Sequence, residues 1–199
     1  KGFSTEMGVE IASIGIQVHG GMGYIEETGA AQTLRDVRIT TIYEGTTGIQ
    51  SNDLIGRKVG RDRGAAMFAL LDDMTRELEA LPATAAASAT TAALTGVADL
   101  RASTESLLQS LGSAPDRAMA VSVPYLRLCG IVIGGWLLAK SAAIAAERIA
   151  GQTTDSEFFS AKLRSAHFYA EQIMPMAGAL ARIVQSGAAS VVETDAAHI

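Results

Sequence analysis

Between Thr5 and Val18 the apolar residues Met7, Val9, Ile11, Ala12, Ile14, Ile16 and Val18 crowd the chain, and Gly8, Ala12 and Gly15 recur at helical spacing. That pattern predicts a helix packed closely on its neighbours. Gly20, Gly21 and Gly23 end it in a turn, because glycine accepts positive φ and close backbone approach. A second, short helix opens at Thr28 or Gly29 and runs to about Arg38. The β-branched run Ile39-Thr-Thr-Ile then breaks the helical rhythm, which puts Glu44 on an irregular connection. Thr46 or Thr47 suits the N-cap of the next helix, with Ile49, Leu54, Ile55 and Val59 facing inward and a break near Gly60 to Gly64.

Met67 to Leu81 reads as an amphipathic helix stopped by Pro82. Residues 83–95 are almost entirely Ala, Thr and Ser, a composition open to a helix start or a connection; we read a linker grading into helix. Further helices are expected over about 96–111, 116–149 and 155–186, with breaks at Gly112 to Pro115 and Gly151 to Asp155. No strand is predicted. Leu107, Leu108 and Leu111, then Leu126, Val132, Leu137 and Ile144, then Phe159, Leu163, Phe168 and Ile173 give these helices candidate core faces, and 64–81 offers a fourth partner for a bundle. Gly134-Gly135 suggests two helix backbones in close approach, and Pro175 a bend or an end. The tail after Gly187 has weak packing signals.

Composition narrows the class. Among 199 residues 48 % are hydrophobic, enough for a sizeable core, and 16 Lys and Arg against 21 Asp and Glu give a net charge of -5. No basic field favours nucleic acid or an anionic membrane. The lone Cys129 sits in an apolar run, which suggests a buried small side chain in a reducing compartment, the cytoplasm. The charge-free run between Arg127 and Lys140 falls short of the roughly 20 residues of a membrane span, so no transmembrane segment is expected and the run reads as a core helix. The opening Lys1-Gly-Phe-Ser-Thr-Glu-Met-Gly has neither an initiator Met nor a signal-peptide pattern, and an upstream region is expected.

The candidate chemistry is concentrated in Gln17-Val-His-Gly-Gly-Met-Gly-Tyr24 and in Leu34-Arg-Asp followed by Tyr43-Glu-Gly-Thr46. The glycines do not form a nucleotide loop, since no strand precedes them and neither a GK[ST] ending nor a full G-x-G-x-x-G is present. Taken alone, a Glu before Gly-Thr-Thr is an ordinary surface or capping residue. Arg35, Asp36 and Arg38 read as a structural ion-pair cluster. His19, His167 and His198 show no metal-ligand spacing, with each other or with Cys129, so no metal is expected. Trp136 and the Phe158, Phe159, Phe168, Tyr169 set read as bundle contacts.

The order and spacing of these elements resemble the carboxy-terminal signature of the acyl-CoA dehydrogenase family. The resemblance implies an all-α fold: the end of that family's carboxy-terminal helical bundle at 1–63, then a second helical-bundle domain, an appended extension, at 64–199. It implies a FAD-dependent enzyme that dehydrogenates an acyl-CoA thioester at its α,β carbons. In that family the Glu of Tyr-Glu-Gly-Thr removes the α-proton, which puts the catalytic role on Glu44. Its main-chain N–H would polarise the thioester carbonyl together with a ribityl hydroxyl of the flavin. Tyr43 and Gly45 become substrate-binding candidates, Gly45 leaving room for acyl chain and flavin. Gln17, Gly20 and Gly21 are carried over as contacts to the adenosine diphosphate part of FAD bound largely by a neighbouring subunit, and Thr46 as a cofactor contact near the Glu loop.

An electron-transferring flavoprotein as electron acceptor and a homodimer or homotetramer follow from the same resemblance. One departure is Gly48, where many members carry a flavin-contacting amide. That variant, with the long extension after Arg57-Lys-Val, looks more like the larger bacterial branch that includes 3-methylmercaptopropionyl-CoA dehydrogenases. Two other readings stand beside this one: a non-catalytic helical oligomerisation module, and an acyl-CoA oxidase on the same fold. Glu44 in a closed, water-poor pocket would separate enzyme from module.

Overall fold

A computed structural model describes residues 1–83, 85–195 and 197, and among them the chain is all-α, without a strand. Helix α1, Gly2–His19, ends where Gly20 turns left-handed at φ 61°. Helix α2, Gly21–Tyr24, folds back on it: Gly23 is buried where a Cβ would overlap the Ile16 carbonyl. A 3-10 turn, Glu26–Thr28, and Gly29 at φ 75° lead into α3, Ala30–Arg38. Helix α3 lies on α1 with Val37 against Gly8, where a Cβ would come within 3.1 Å of Cγ2. After a second 3-10 turn, Ile39–Thr41, the chain enters α4, Thr47–Asp53, which runs on as a π-helical segment, Leu54–Val59. Ile55 and Val59 are buried, Leu54 half-buried, but Ile49 is exposed. The inward face of α4 is set by Ser51, and Ile49, two residues or about 200° away, points outward.

The remainder is a bundle. Helix α5 is Ala65–Glu79, α6 Ala87–Ser113, α7 Pro115–Ala120, α8 Ser122–Ala150, α9 Ser156–Phe168, α10 Pro175–Ser186 and α11 Ala189–Val192. Helices α5, α6, α8 and the α9–α10 arm enclose one core built on Leu71, Met74 and Leu78, then Leu100 and Leu107, Tyr125, Leu128 and Val132, and Ala177 and Val184. Helix α8 is by length and composition sufficient to cross a bilayer, but half of its most apolar stretch is buried within the protein, as a core helix should be.

Several expectations change here. The linker is confined to 80–86, because Ala89 and Ala93 are buried and α6 already runs from Ala87. Small side chains can be the packing face of a helix, which composition does not reveal. The helix expected over 116–149 breaks at Val121, since Pro124 lacks an N–H for a bond to residue 120 and its ring would meet that carbonyl. Pro175 acts similarly: the turn before it widens to a π-helix, Tyr169–Ile173, with Met174 N bonded to Tyr169 O at 2.9 Å. Gly134 and Gly135 receive side chains, the Tyr169 hydroxyl and the Met174 thioether, rather than a second backbone. Leu137, Ile144 and Phe168 are exposed, not core. The tail forms the short α11, and Arg117 meets Glu193 at 3.3 Å.

Buried side-chain polar atoms all have hydrogen-bond partners among the described residues. Thr104 Oγ1 donates to Leu100 O at 2.8 Å, so the Tyr125 hydroxyl, 2.8 Å away, donates to it and ties α8 to α6. Burial raises the Tyr125 hydroxyl well above its ordinary range and pushes the Cys129 thiol up to about 12, so that cysteine is an inert core residue. Ser51 donates to Gly48 O and accepts from Ser122 at 3.1 Å, fastening α4 to α8.

Candidate active site

The Glu44 turn stands between two helices that hold it from either side. Glu44 has φ 54° and Gly45 φ 96°, so the chain passes through the left-handed region at two consecutive positions. A glycine does this freely; a glutamate does not. Glu44, Gly45 and Thr46 donate no hydrogen bond from their main-chain N–H groups to any described residue. The turn is held instead by side chains: Gln50 Nε2 donates to Glu44 O at 2.9 Å and Lys1 Nζ to Gly45 O at 2.7 Å. Thr47 donates to Glu6 and so joins α4 to α1. Thr46 is the N-cap of α4, yet its hydroxyl makes no capping bond. The outcome is an unpartnered Glu44 N–H, an unpartnered Thr46 hydroxyl and an exposed Glu44 carboxylate on one short loop.

Tyr43 is half exposed, with Lys1 Nζ 5.7 Å from its ring centre. At Gly48 a Cβ would meet only Thr46 Oγ1, at 4.0 Å, so the missing amide leaves open space rather than a replacement contact. Glu44 is not enclosed by this chain. A groove of about 690 Å³ opens nearby between α1 and α8, with Phe3, Glu6 and Thr47 on one side and Leu126 and Arg127 on the other, but Glu44 does not line it.

The structure does not bring the glycine turn to this loop. Lys1 touches Gly45, whereas Gly20 and Gly21 lie past the other end of α1, about 27 Å along a helix of that length. Gln17 is exposed on the last turn, and a Cβ at Gly20 or Gly21 would have nothing within 4 Å, so this turn presents open surface. The expected Arg35 cluster forms with a different partner: Arg35 makes a two-pronged pair with Glu26 at 2.7 and 2.8 Å, and Arg38 bonds Thr41. The hydrogen bonds from Arg35 hold the Glu26 carboxyl below its usual range. His19 bonds Gly15 O and His167 bonds Ala85 O, while His198 lies outside the described residues. Among the described residues no group of side chains is suited to a metal ion. Trp136 donates to Glu77 at 3.2 Å, which Lys140 also reaches at 2.6 Å.

Arg57, Lys58 and Arg61 gather around Asp53 at the π-helical segment, with Arg57 3.1 Å and Lys58 3.7 Å from its carboxylate. The signal was available in the sequence as a dense basic run, Arg57-Lys58-x-x-Arg61, in an acidic chain.

Residues 1–59 match the family described as "Acyl-CoA dehydrogenase, C-terminal domain", and residues 63–195 the family "Acetyl-CoA dehydrogenase C-terminal like". The chain is 49 % identical over 177 residues to 3-methylmercaptopropionyl-CoA dehydrogenase of Ruegeria pomeroyi, covering 87 % of this chain and 30 % of that protein. It is 28 % identical to the broad-specificity linear acyl-CoA dehydrogenase of Mycobacterium tuberculosis over 99 % of this chain and 34 % of the relative. A butyryl-CoA dehydrogenase of Syntrophomonas wolfei is 28 % identical over 88 % of this chain and 29 % of its own length. The chain thus spans about a third of the length of the curated relatives it matches. With a match over most of its residues and half of its aligned positions shared with one relative, the chain belongs to the acyl-CoA dehydrogenase family and corresponds to its carboxy-terminal portion.

Proposed function

We propose that this chain supplies the base and one half of the carbonyl-polarising pair for α,β-dehydrogenation of an acyl-CoA thioester. The observation that carries the reading is the Glu44 loop, where a carboxylate and its own unpartnered N–H stand together in a strained, side-chain-held turn. The Glu44 carboxylate takes the proton from the carbon beside the thioester carbonyl while its N–H donates to the carbonyl oxygen, stabilising the negative charge that develops there. FAD, when bound, supplies the acceptor for the hydride leaving the β-carbon, so that one proton and one hydride depart and the α,β double bond forms.

The residues present suit parts of that cofactor. Thr46 offers a free hydroxyl beside the base, and Gln17, Gly20 and Gly21 offer an open glycine surface. Because α1 separates these two sets by its full length, they serve two different FAD molecules, one per active site of neighbouring subunits. That spacing supports a homodimer or homotetramer. Tyr43 and Gly45 line the substrate side of the loop. Beyond the end of α4, on the π-helical segment and the turn after it, Arg57, Lys58 and Arg61 offer positive charge suited to the phosphates of coenzyme A. An electron-transferring flavoprotein is the proposed acceptor, with oxygen the alternative; oxygen consumption during turnover distinguishes them.

Glu44 is exposed in this chain, so the reading requires further protein to close the site over it, for which the exposed Ile42, Tyr43 and Ile49 offer an apolar contact surface. We place the division between the catalytic bundle and its helical extension at about residue 63. The test is Glu44→Gln in the intact flavoprotein. Flavin should stay bound while anaerobic bleaching by acyl-CoA is lost; bleaching at the native rate would remove Glu44 from the mechanism.

A further inference from the structure

We propose that Lys1 and Gln50 are positioning residues that clamp the Glu44 peptide in its working orientation, an inference that rests on the reading of Glu44 as the base. Glu44 at φ 54° holds a conformation that side-chain-bearing residues seldom adopt, and no main-chain hydrogen bond donated by residues 44–46 keeps it there. Two side-chain donors from different helices do. Gln50 Nε2, from α4, holds the Glu44 carbonyl at 2.9 Å, and Lys1 Nζ, at the start of α1, holds the Gly45 carbonyl at 2.7 Å.

The glycine at 45 is part of the same device. A Cβ there would sit 3.0 Å from Gln50 Nε2 and 3.3 Å from Ile49 Cγ2, on a residue whose φ is 96°. Gly45 therefore lets the amide reach across to Glu44 as well as permitting the turn. With both carbonyls after the Glu44 side chain pinned, rotation about the Glu44 backbone is restricted. That rotation sets where the carboxylate points relative to the Glu44 N–H, and the proposed chemistry needs the two aimed at neighbouring atoms of one thioester. The contacts that Lys1 and Gln50 make at this loop are to main-chain carbonyls, so in this proposal they act through the main chain.

The intact flavoprotein that contains this sequence is the material for the test. Lys1→Met and Gln50→Met each remove a donor at similar side-chain length, without adding a charge beside Glu44. Anaerobic stopped-flow bleaching of the flavin is measured beside thermal unfolding and the affinity for a non-reacting thioether analogue of the acyl-CoA. Each variant should bleach slower by on the order of tenfold, with analogue affinity and unfolding temperature unchanged. Lys1→Arg, which restores a cationic donor, should recover the rate. Native rates in both variants while Glu44→Gln is inactive would overturn the clamp and leave the base standing. Parallel loss of analogue affinity, or no recovery in Lys1→Arg, would show a general structural role and overturn it equally. Native bleaching by Glu44→Gln would remove the base and, with it, the clamp.

Discussion

The layer formed by α1 to α3 and the bundle formed by α5 to α10 both carry rows of apolar side chains on their helices, yet those rows end in opposite states. In the bundle, Leu71, Leu78, Leu100, Leu107 and Leu128 have essentially no exposed surface. In the layer, Met7, Ile11, Ile14 and Val18 follow one another at helical spacing along α1, and the last three are exposed by 66, 53 and 79 %. Met22, beside the glycine turn, and Ile39, Ile42 and Ile49, nearer the Glu44 loop in sequence, are exposed as well. A lone soluble protein rarely shows so large an apolar patch. The difference lies in which face is covered: α1 meets α2, α3, α4, α8 and the Ile39–Thr41 turn, yet Ile11, Ile14 and Val18 stay exposed on the face that none of them covers. The region that carries the proposed chemistry is the one whose packing is incomplete within this chain.

The contrast can be broken by mutation. Leu128→Ala, at the centre of the bundle, should destabilise the isolated chain by about 3 kcal/mol in a urea titration, because a cavity opens where nothing can collapse. A loss below about 1 kcal/mol would mean that the bundle is not a closed core. Alkaline pH offers a second, bundle-specific probe. Burial keeps Cys129 protonated to about 12, above its ordinary 9.0, and holds Tyr125 protonated as well. The folded state thus retains protons that the unfolded chain releases. Stability should fall as pH rises above about 9, by up to about 1.4 kcal/mol per pH unit for each group. A flat stability between pH 9 and 11 would place these groups in contact with water.

Smaller effects sharpen the picture. Tyr125→Phe removes one buried hydrogen bond but leaves Thr104 bonded to Leu100 O, so a loss of about 1 kcal/mol is expected. The smallest effect should come from the layer: Ile14→Ser in the isolated chain should shift stability by less than about 0.5 kcal/mol, as at any exposed site. The same substitution in the intact protein should cost several times more. Equal small losses in both would show that nothing covers α1.

Much of the helix order was legible because its signals are local. Gly20, Gly29, Pro82 and Pro175 act on their own backbone or on the adjacent turn, and the expected breaks appear at or beside them. The errors share a different cause. Leu137, Ile144 and Phe168 are apolar and were expected inside, but lie on faces that no other helix covers. Ala89 and Ala93 looked like linker and are core, because α6 packs through small side chains. At the candidate site, Glu44 and its flanking Gly45 were readable from the motif. The Lys1 and Gln50 contacts were not, since one of them joins residues 44 apart in sequence. Nor does spacing along the chain show that Gly20 and Glu44 lie at opposite ends of a helix.

The sequence by itself determined the all-α class, the punctuation of its helices and the family signature, since each of these depends on residue type and short-range spacing. Only the tertiary structure decided which apolar faces are buried, that the Glu44 turn is held by side chains rather than backbone, and that the glycine turn stands apart from it. Burial and hydrogen bonding are properties of neighbours distant in sequence, and a periodic pattern shows that a face is apolar without showing what covers it.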